Sequence, residues 1–230
     1  MVIIRSCESV SKAMITNTPP TRGHVGQASR VATLALVGGE LAFNFTNTTS
    51  GRGGARHLEH LGRPEDLAVW AHHAKIIGKK SARDLQRRFG DSPGLAQQLQ
   101  RRALELRDVV YAIGAALAAG KPTRSEDIDR LTGIHAECVR VGHLRKIQGL
   151  YGWTWNIEAY PVEAILGPIV LSALSIVCQA DLSRIKQCPG RDCGWLFFDA
   201  TKNKNRRWCE MEVCGNRAKQ RRLRKRRRPR

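Results

Sequence analysis

Four cysteines near the end of the chain have types and spacing that could bind one metal ion. Cys188 and Cys193 form one pair, Cys209 and Cys214 form the other, and four residues separate the sulfurs within each pair. Residues 194–208 lie between the pairs, a length that allows a β-hairpin to bring the four thiolates together. Four thiolates in this arrangement favour tetrahedral Zn²⁺. We therefore predict one structural zinc ion bound by these four cysteines.

Disulfide bonds and unrelated buried thiols are the alternatives for these cysteines. Residues 1–14 lack a signal peptide because Arg5 and Glu8 interrupt any apolar run, so the sequence gives no sign of an oxidising compartment. The other three cysteines lie singly among apolar or helical residues, where a free cysteine is usually a small buried hydrophobe. They are Cys7, Cys138 and Cys178. We assign them no function.

A strongly basic helix is predicted directly after the second cysteine pair. Asn216 is suited to be the N-cap of a helix that continues to about Arg228. Arg217, Arg221 and Arg224 fall on one stripe of it together with Arg228. Because like charges at this spacing repel, we expect the end of the helix to fray until phosphates neutralise it.

The charge of the chain is concentrated in the same segment. The formal net charge is +19, and residues 181–230 contain 17 Lys or Arg against 5 Asp or Glu, a net of +12. Four thiolates on one Zn²⁺ lower this to about +10, which still predicts a polyanionic partner. A helix whose start is fixed by metal favours double-stranded DNA as that partner, and RNA is the alternative. A third interpretation is that the segment binds nothing and is a solvated, charge-rich tail. The residues predicted to contact nucleic acid are Arg206, Arg207, Asn216, Arg217, Lys219, Arg221, Arg222, Arg224, Lys225 and Arg228.

The motif that contains the cysteines resembles a known family. Residues 188–199 read CPGRDCGWLFFD, and residues 206–217 read RRWCEMEVCGNR. Together they resemble the bacterial CGNR zinc finger. Upstream, residues 38–48 read GGELAFNFTNT and resemble the start of the ABATE-type domain that precedes this finger in stress-induced transcription regulators; Asn44 stands where aspartate is commoner. The resemblance implies a metal-bound, DNA-binding regulator.

Hydrophobic patterns upstream of the cysteines predict helices with a few β-hairpins. Residues 31–37 are apolar and β-compatible, and alternate residues of 41–45 are large and apolar, so with Gly38 and Gly39 between them these segments predict a first hairpin. Apolar residues recur at spacings of three and four over residues 94–119 and predict a long amphipathic helix. A second hairpin is expected over residues 143–156, with Trp153 and Trp155 packed on the first hairpin. Residues 164–180 carry no charge, and we interpret them as a buried helix rather than a membrane span.

The predicted fold class is α+β and mainly helical, with small antiparallel β-hairpins followed by a treble-clef-like zinc finger. The predicted domains are a poorly ordered arm (1–29), an ABATE-type helical domain (30–182) and the finger with its basic helix (183–230). Within the finger, Trp195 and Phe197 alternate with Leu196 and Phe198, so one apolar face should dock on the helical domain or on a partner subunit. Asp199 should lie at a turn. It could brace Arg206 or Arg207, and the alternative is that it is an ordinary turn residue.

The sequence favours a transcription regulator over an enzyme. Four cysteines leave no open coordination position for water, and no Ser/His/Asp set or phosphate-binding loop stands out. An enzyme would instead need a polar pocket in the N-terminal domain. That domain is expected to sense an effector or to dimerise, so a homodimer and an unknown small-molecule effector are candidate partners besides DNA. We expect a cytoplasmic, nucleoid-associated protein without a membrane partner.

Overall fold

The computed structural model describes residues 30–52, 57–147 and 149–226. The arm predicted for residues 1–29 lies outside these ranges. Seven α-helices are formed within them: α1 (Leu41–Thr46), α2 (Pro64–His73), α3 (Lys79–Asp91), α4 (Pro93–Ala118), α5 (Ser125–Arg140), α6 (Pro161–Gln179) and α7 (Asn216–Arg226). Six strands make three antiparallel pairs: β1 (Thr49–Ser50) with β2 (Leu58–Glu59), β3 (His143–Ile147) with β4 (Leu150–Thr154), and β5 (Ile185–Gln187) with β6 (Leu196–Phe198). The mainly helical α+β fold class is confirmed.

The long helix α4 forms where the apolar periodicity predicted it. Its buried face includes Leu99, Leu106 and Ile113 and packs into the main hydrophobic core. The helix ends before Gly120, whose φ of +63° suits glycine because it has no Cβ.

Helix α6 lies largely inside this core. Ala164, Ile165, Leu166, Ile169 and Val170 are fully buried. Residues Pro161–Cys178 are long and apolar enough to cross a membrane, but 61% of this window is buried within the protein. A helix that is apolar all round suits the centre of a helical core.

The second hairpin is confirmed, but the packing predicted for its tryptophans is wrong. Trp153 and Trp155 stack with ring centroids 6.2 Å apart. The Nε1 of Trp155 donates to the backbone oxygen of Cys138 at 2.8 Å, and its ring lies directly over Gly167 of α6. The tryptophans therefore pack on α5 and α6, where a glycine leaves room for an indole ring.

The first predicted hairpin is wrong. Residues Arg30–Thr33 form a 3-10 turn, and residues 41–46 form the short helix α1. The alternation of Leu41, Phe43 and Phe45 suggested a strand with one buried face. In the structure Ala42 and Thr46 are buried as well, because α1 lies between α4, α6 and the C-terminal module. A strand is predicted from the alternation of apolar residues on one face with polar residues on the other. A segment that is buried on several sides, as α1 is, does not follow this rule.

Candidate metal centre and basic helix

The four cysteine sulfurs converge on one point. All four lie within 4.8 Å of one another, and the Sγ of Cys209 is 3.6 Å from those of both Cys193 and Cys214. Four sulfurs at about 2.3 Å from a tetrahedral zinc ion would be about 3.8 Å apart, so the donor set fits Zn²⁺. Cys188, Cys209 and Cys214 are buried and Cys193 is partly buried. These four residues would hold one structural zinc ion, which would crosslink the two cysteine pairs.

The first cysteine pair lies in the loop of a hairpin. Strands β5 and β6 flank the pair, and the backbone N–H of Cys188 donates to the carbonyl oxygen of Trp195 at 2.8 Å. Gly190 lies against the metal site, because a Cβ added there would be 3.2 Å from the Sγ of Cys214. The hairpin predicted within residues 194–208 is therefore wrong. Strand β6 pairs instead with the strand that precedes the first cysteine.

The loop after β6 folds around the buried carboxylate of Asp199. Its Oδ2 accepts from the Nζ of Lys186 at 2.6 Å and from the backbone N–H of Arg206 at 2.8 Å. Its Oδ1 accepts from the backbone N–H of Thr201 at 3.0 Å and also from the hydroxyl of that residue. Burial raises the pKa of Asp199, but the hydrogen bonds from Lys186 and Thr201 outweigh it and hold this pKa well below its usual range. Asp199 thus braces Arg206, although through the backbone of that residue.

The side chain of Arg206 is used inside the protein. Its guanidinium lies 4.4 Å from the ring centre of Phe197. Its Nη2 donates to the carbonyl oxygen of Val37 at 2.7 Å and to that of Cys209, and its Nε donates to that of Trp208 at 3.2 Å. The sequence placed Arg206 among the nucleic-acid contacts. The geometry instead gives it a structural role, because these groups already occupy its donors.

The second cysteine pair leads directly into the basic helix. Residues Met211–Gly215 form a π-helical turn that continues into α7. Glu210 has the extended conformation that ends the preceding loop (φ −152°, ψ 124°), whereas Asn216 is already helical (φ −65°, ψ −39°). Asn216 is therefore not the N-cap. Cys209 lies directly before Glu210 and Cys214 lies within the turn, so a metal ion bound by both would fix the start of the helical segment.

Helix α7 carries seven Lys or Arg among its eleven residues and no acidic residue. Ala218 is its one buried residue, and Leu223 is 46% exposed. Arg226 belongs to the same exposed basic surface although it was not selected from the sequence, while Arg228 lies outside the described residues. The other residues predicted to contact nucleic acid are all exposed. They are Arg207, Asn216, Arg217, Lys219, Arg221, Arg222, Arg224 and Lys225.

The finger docks on the helical domain through strand β6, as its second apolar face predicted. Leu196 is fully buried, and its Cδ1 would be 2.6 Å from a Cβ placed on Gly114 of α4. The backbone N–H of Phe198 donates to the carbonyl oxygen of Gly38 at 2.8 Å, and the Nε1 of Trp195 donates to that of Thr49 at 3.0 Å. Asn47 bonds to the backbone of Leu196. We call these contacts of residues 195–198 with residues 37–51 and with Gly114 the docking junction.

The cysteines outside the metal site have separate environments. Cys138 is buried in the main core, and burial raises the pKa of its thiol to about 12, as expected for an inert buried cysteine. Cys178 is exposed, so the prediction that it is buried is wrong. Cys7 lies outside the described residues.

Comparison with family models gives two matches that together cover most of the chain. Residues 184–227 match the model of the CGNR zinc finger. Residues 39–180 match the ABATE model, described as "Putative stress-induced transcription regulator". A search of curated proteins found no match.

Proposed function

This chain belongs to the ABATE family, and we propose that it is a zinc-containing transcription regulator whose finger and basic helix bind double-stranded DNA. The observation that carries the proposal is the position of α7. A helix with seven cations and no anion begins at the metal site and exposes its basic side chains. Such a helix has almost no apolar surface to bury, so a polyanion is the partner that its chemistry fits.

The metal site supports a binding role. A site closed by four cysteines leaves no coordination position for a water molecule or a substrate, which is typical of structural zinc. The ion would instead hold the start of α7 against the hairpin of β5 and β6. Arg217 and Lys219, which are nearest the metal-fixed start, are the best-positioned candidates to contact base edges, while Arg221, Arg222, Arg224 and Lys225 would contact phosphates.

The test is the salt dependence of DNA binding, measured by fluorescence anisotropy on the zinc-loaded chain. If about six phosphates are contacted, log affinity should fall against log salt with a slope of about −5. The double variant Arg221→Gln/Arg224→Gln should reduce the slope by about 2 and weaken all duplexes alike. The matched control, Arg83→Gln/Arg130→Gln, removes the same charge from exposed residues of α3 and α5 and should leave the slope nearly unchanged.

Sequence preference is tested by selecting bound fragments from a genomic library with the purified protein. Enrichment of a common duplex motif, with binding weakened by about 1 to 3 kcal/mol in Arg217→Gln, would support base recognition. Tighter binding to RNA than to any enriched duplex would overturn the assignment to DNA. Equal effects of the α7 variant and its control would show that α7 is not the interface.

The helical domain would then control the finger. We propose that it senses an effector or forms a homodimer, and that the protein acts in the cytoplasm in association with the nucleoid. The docking junction supports such control, because β6 shares its core with α1 and α4. A change in the packing of that core would move the finger.

A further inference from the structure

A groove in the finger borders the start of the basic helical segment. It is formed by residues 205–211, which include the loop before Cys209 and the first residue of the π-helical turn. Its volume is about 420 Å³, which lies within the usual range of sites for small molecules and rings. Any occupant of this groove would lie next to the segment that continues into α7.

Trp208 gives the groove an aromatic wall. Part of its side chain packs on the cysteine cluster, and the rest is accessible. The guanidinium of Arg207 lies 5.3 Å from the centre of the Trp208 ring, on an exposed side chain that can move. A planar ligand ring could replace Arg207 over the indole, and the guanidinium could then stack on the outer face of that ring. Aromatic rings and guanidinium planes are the usual stacking partners of unpaired nucleobases.

Glu210 is the one acidic residue among residues 205–211. It is half-buried, and its carboxylate forms no hydrogen bond or ion pair within the described part of the chain. Asp181 and Asp199 of the same module, by contrast, are both ion-paired. The neighbouring guanidinium of Arg206 donates to backbone oxygens instead. A carboxylate in this groove would repel phosphates, so it fits a ligand group that donates hydrogen bonds.

Guanine is the nucleobase whose Watson–Crick edge suits a carboxylate. Its N1–H and its N2 amino group are adjacent donors, so the two carboxylate oxygens can accept from one ring. Adenine and cytosine each place a ring-nitrogen acceptor beside the amino group, and thymine places its N3–H between two carbonyl oxygens. These acceptors would repel the carboxylate. Because this edge of guanine is occupied in a base pair, the guanine has to be unpaired or extruded from the duplex.

We propose that the groove binds one unpaired guanine of the DNA, with its ring on Trp208 and with Glu210 accepting from its N1–H and N2 amino group. The proposal rests on the DNA binding proposed above and adds a base-specific site to it. The groove borders the start of the segment that continues into α7, so the basic residues of α7 would hold phosphates beside the unpaired base. Binding should be strongest where unpairing costs least, as at a bulged base.

The first test compares duplexes that carry one bulged base, by fluorescence anisotropy with the zinc-loaded chain. The duplex with a bulged guanine should bind at least about tenfold more tightly than the duplex with a bulged thymine. Bulged inosine, which lacks only the N2 amino group, should bind about three- to tenfold more weakly than guanine. Equal affinity for the three bulges would overturn the proposal. Displacement of the bulged duplex by equally low concentrations of guanosine monophosphate would assign the groove to a free nucleotide instead.

The second test changes the protein. Glu210→Gln should reduce the preference for guanine over thymine to about twofold or less, because an amide offers only one acceptor to the two donors. The matched control Glu212→Gln removes the same charge from an exposed residue outside the groove and should keep the preference. Metal analysis should show that both variants retain zinc. An unchanged preference in Glu210→Gln, or an equal loss in both variants, would contradict the role given to Glu210.

The stacking role of Trp208 is tested in the same assay. Trp208→Ala should weaken every bulged duplex toward the affinity of the fully paired duplex, which should itself change little. Trp208→Tyr keeps an aromatic face in the groove and should retain most of the binding to bulged duplexes. Equal binding of bulged duplexes by the parent protein and Trp208→Ala would show that no base lies on this ring.

Failure of this proposal can be told apart from failure of DNA binding. If the fully paired duplex binds with the expected salt slope and no bulged base is preferred, the groove is not a base site and the assignment to DNA stands. If neither paired nor bulged DNA binds, both proposals fail.

Discussion

The side-chain amide of Asn47 exchanges two hydrogen bonds with the backbone of Leu196. Its Nδ2 donates to the Leu196 carbonyl oxygen at 2.9 Å, and its Oδ1 accepts from the Leu196 N–H at 2.9 Å. Both residues are buried. Asn47 thus takes the place of a neighbouring strand on the free edge of β6, and it joins the finger to the helical domain.

Asn47→Ala should therefore destabilise the chain by about 2 to 4 kcal/mol, because it leaves a buried N–H and a buried C=O without partners. Urea unfolding with excess zinc measures the change. Asn203→Ala, at an exposed loop residue, is the control and should change stability by less than about 0.5 kcal/mol. Similar values for both variants would show that the docking junction does not contribute to folding.

Gly114→Ala tests the packing of the same junction. An added Cβ would be 2.6 Å from Leu196 Cδ1 and 3.0 Å from Phe43 Cε1, so the finger and α1 would both have to shift. We expect a loss of about 1 to 3 kcal/mol from overpacking. Gly133→Ala, on the exposed side of α5 with no atom within 4 Å of the new Cβ, should instead stabilise the chain by about 0.5 to 1 kcal/mol. Opposite signs in thermal unfolding would confirm the crowding at Gly114, and a gain in both variants would contradict it.

Adjacent arginines in the finger should respond differently to the same change. Arg206→Gln removes the guanidinium that bonds to Val37, Trp208 and Cys209, and it should lower stability by about 2 to 3 kcal/mol. Arg207→Gln removes an exposed charge near the Trp208 ring and should leave stability within about 0.5 kcal/mol. If the chain binds DNA as proposed, Arg207→Gln should still weaken binding. A loss of stability in Arg207→Gln as large as that in Arg206→Gln would refute this division of roles.

Loss of the metal should affect more than the finger. Cys209→Ser/Cys214→Ser should abolish zinc binding in metal analysis, while Cys178→Ser, at an exposed cysteine outside the site, should retain it. If the junction contributes about 3 kcal/mol, the melting temperature of the zinc-free protein should fall by roughly 6 to 12 °C. Circular dichroism should show helices α2 to α6 still formed at low temperature. An unchanged melting temperature would show that the helical domain is indifferent to the finger.

The pH dependence of stability can be predicted from Asp199. Its pKa is lowered in the folded chain, so its stabilising contribution is present above the ordinary aspartate pKa of about 3.9 and is lost as the pH falls below that value. Asp199→Asn should lower the free energy of unfolding by about 2 to 3 kcal/mol, because Lys186 loses its buried partner. The difference in this free energy between the variant and the parent protein should stay constant between about pH 5 and 8. A difference that shrinks within this range would mean that the carboxyl already titrates there.

Cysteine spacing was sufficient to predict the metal site, because four ligands of one kind at regular intervals have few other uses. The location of the supporting hairpin was not predictable from spacing. Ile185–Gln187 is a short strand without distinctive residues, and β6 could have paired on either side. The roles of Asn47 and Arg206 were also hidden, because an asparagine in a loop and an arginine in a basic segment look the same whether buried or exposed. Asn47 bonds to Leu196 and Arg206 bonds to Val37, and both of these partners are distant in the chain.

The docking junction has a consequence for synthesis of the protein. Asn47 precedes Leu196 by 149 residues, so the segment that receives β6 leaves the ribosome long before β6 exists. At translation rates of about 5 to 20 residues per second, this wait is roughly 7 to 30 s. The nascent chain meanwhile exposes the apolar surface of α1 and α4 that Leu196 later covers. Cys209 and Cys214 are synthesised after β6, so we expect zinc to bind only after this wait and zinc starvation to lower the yield of folded protein.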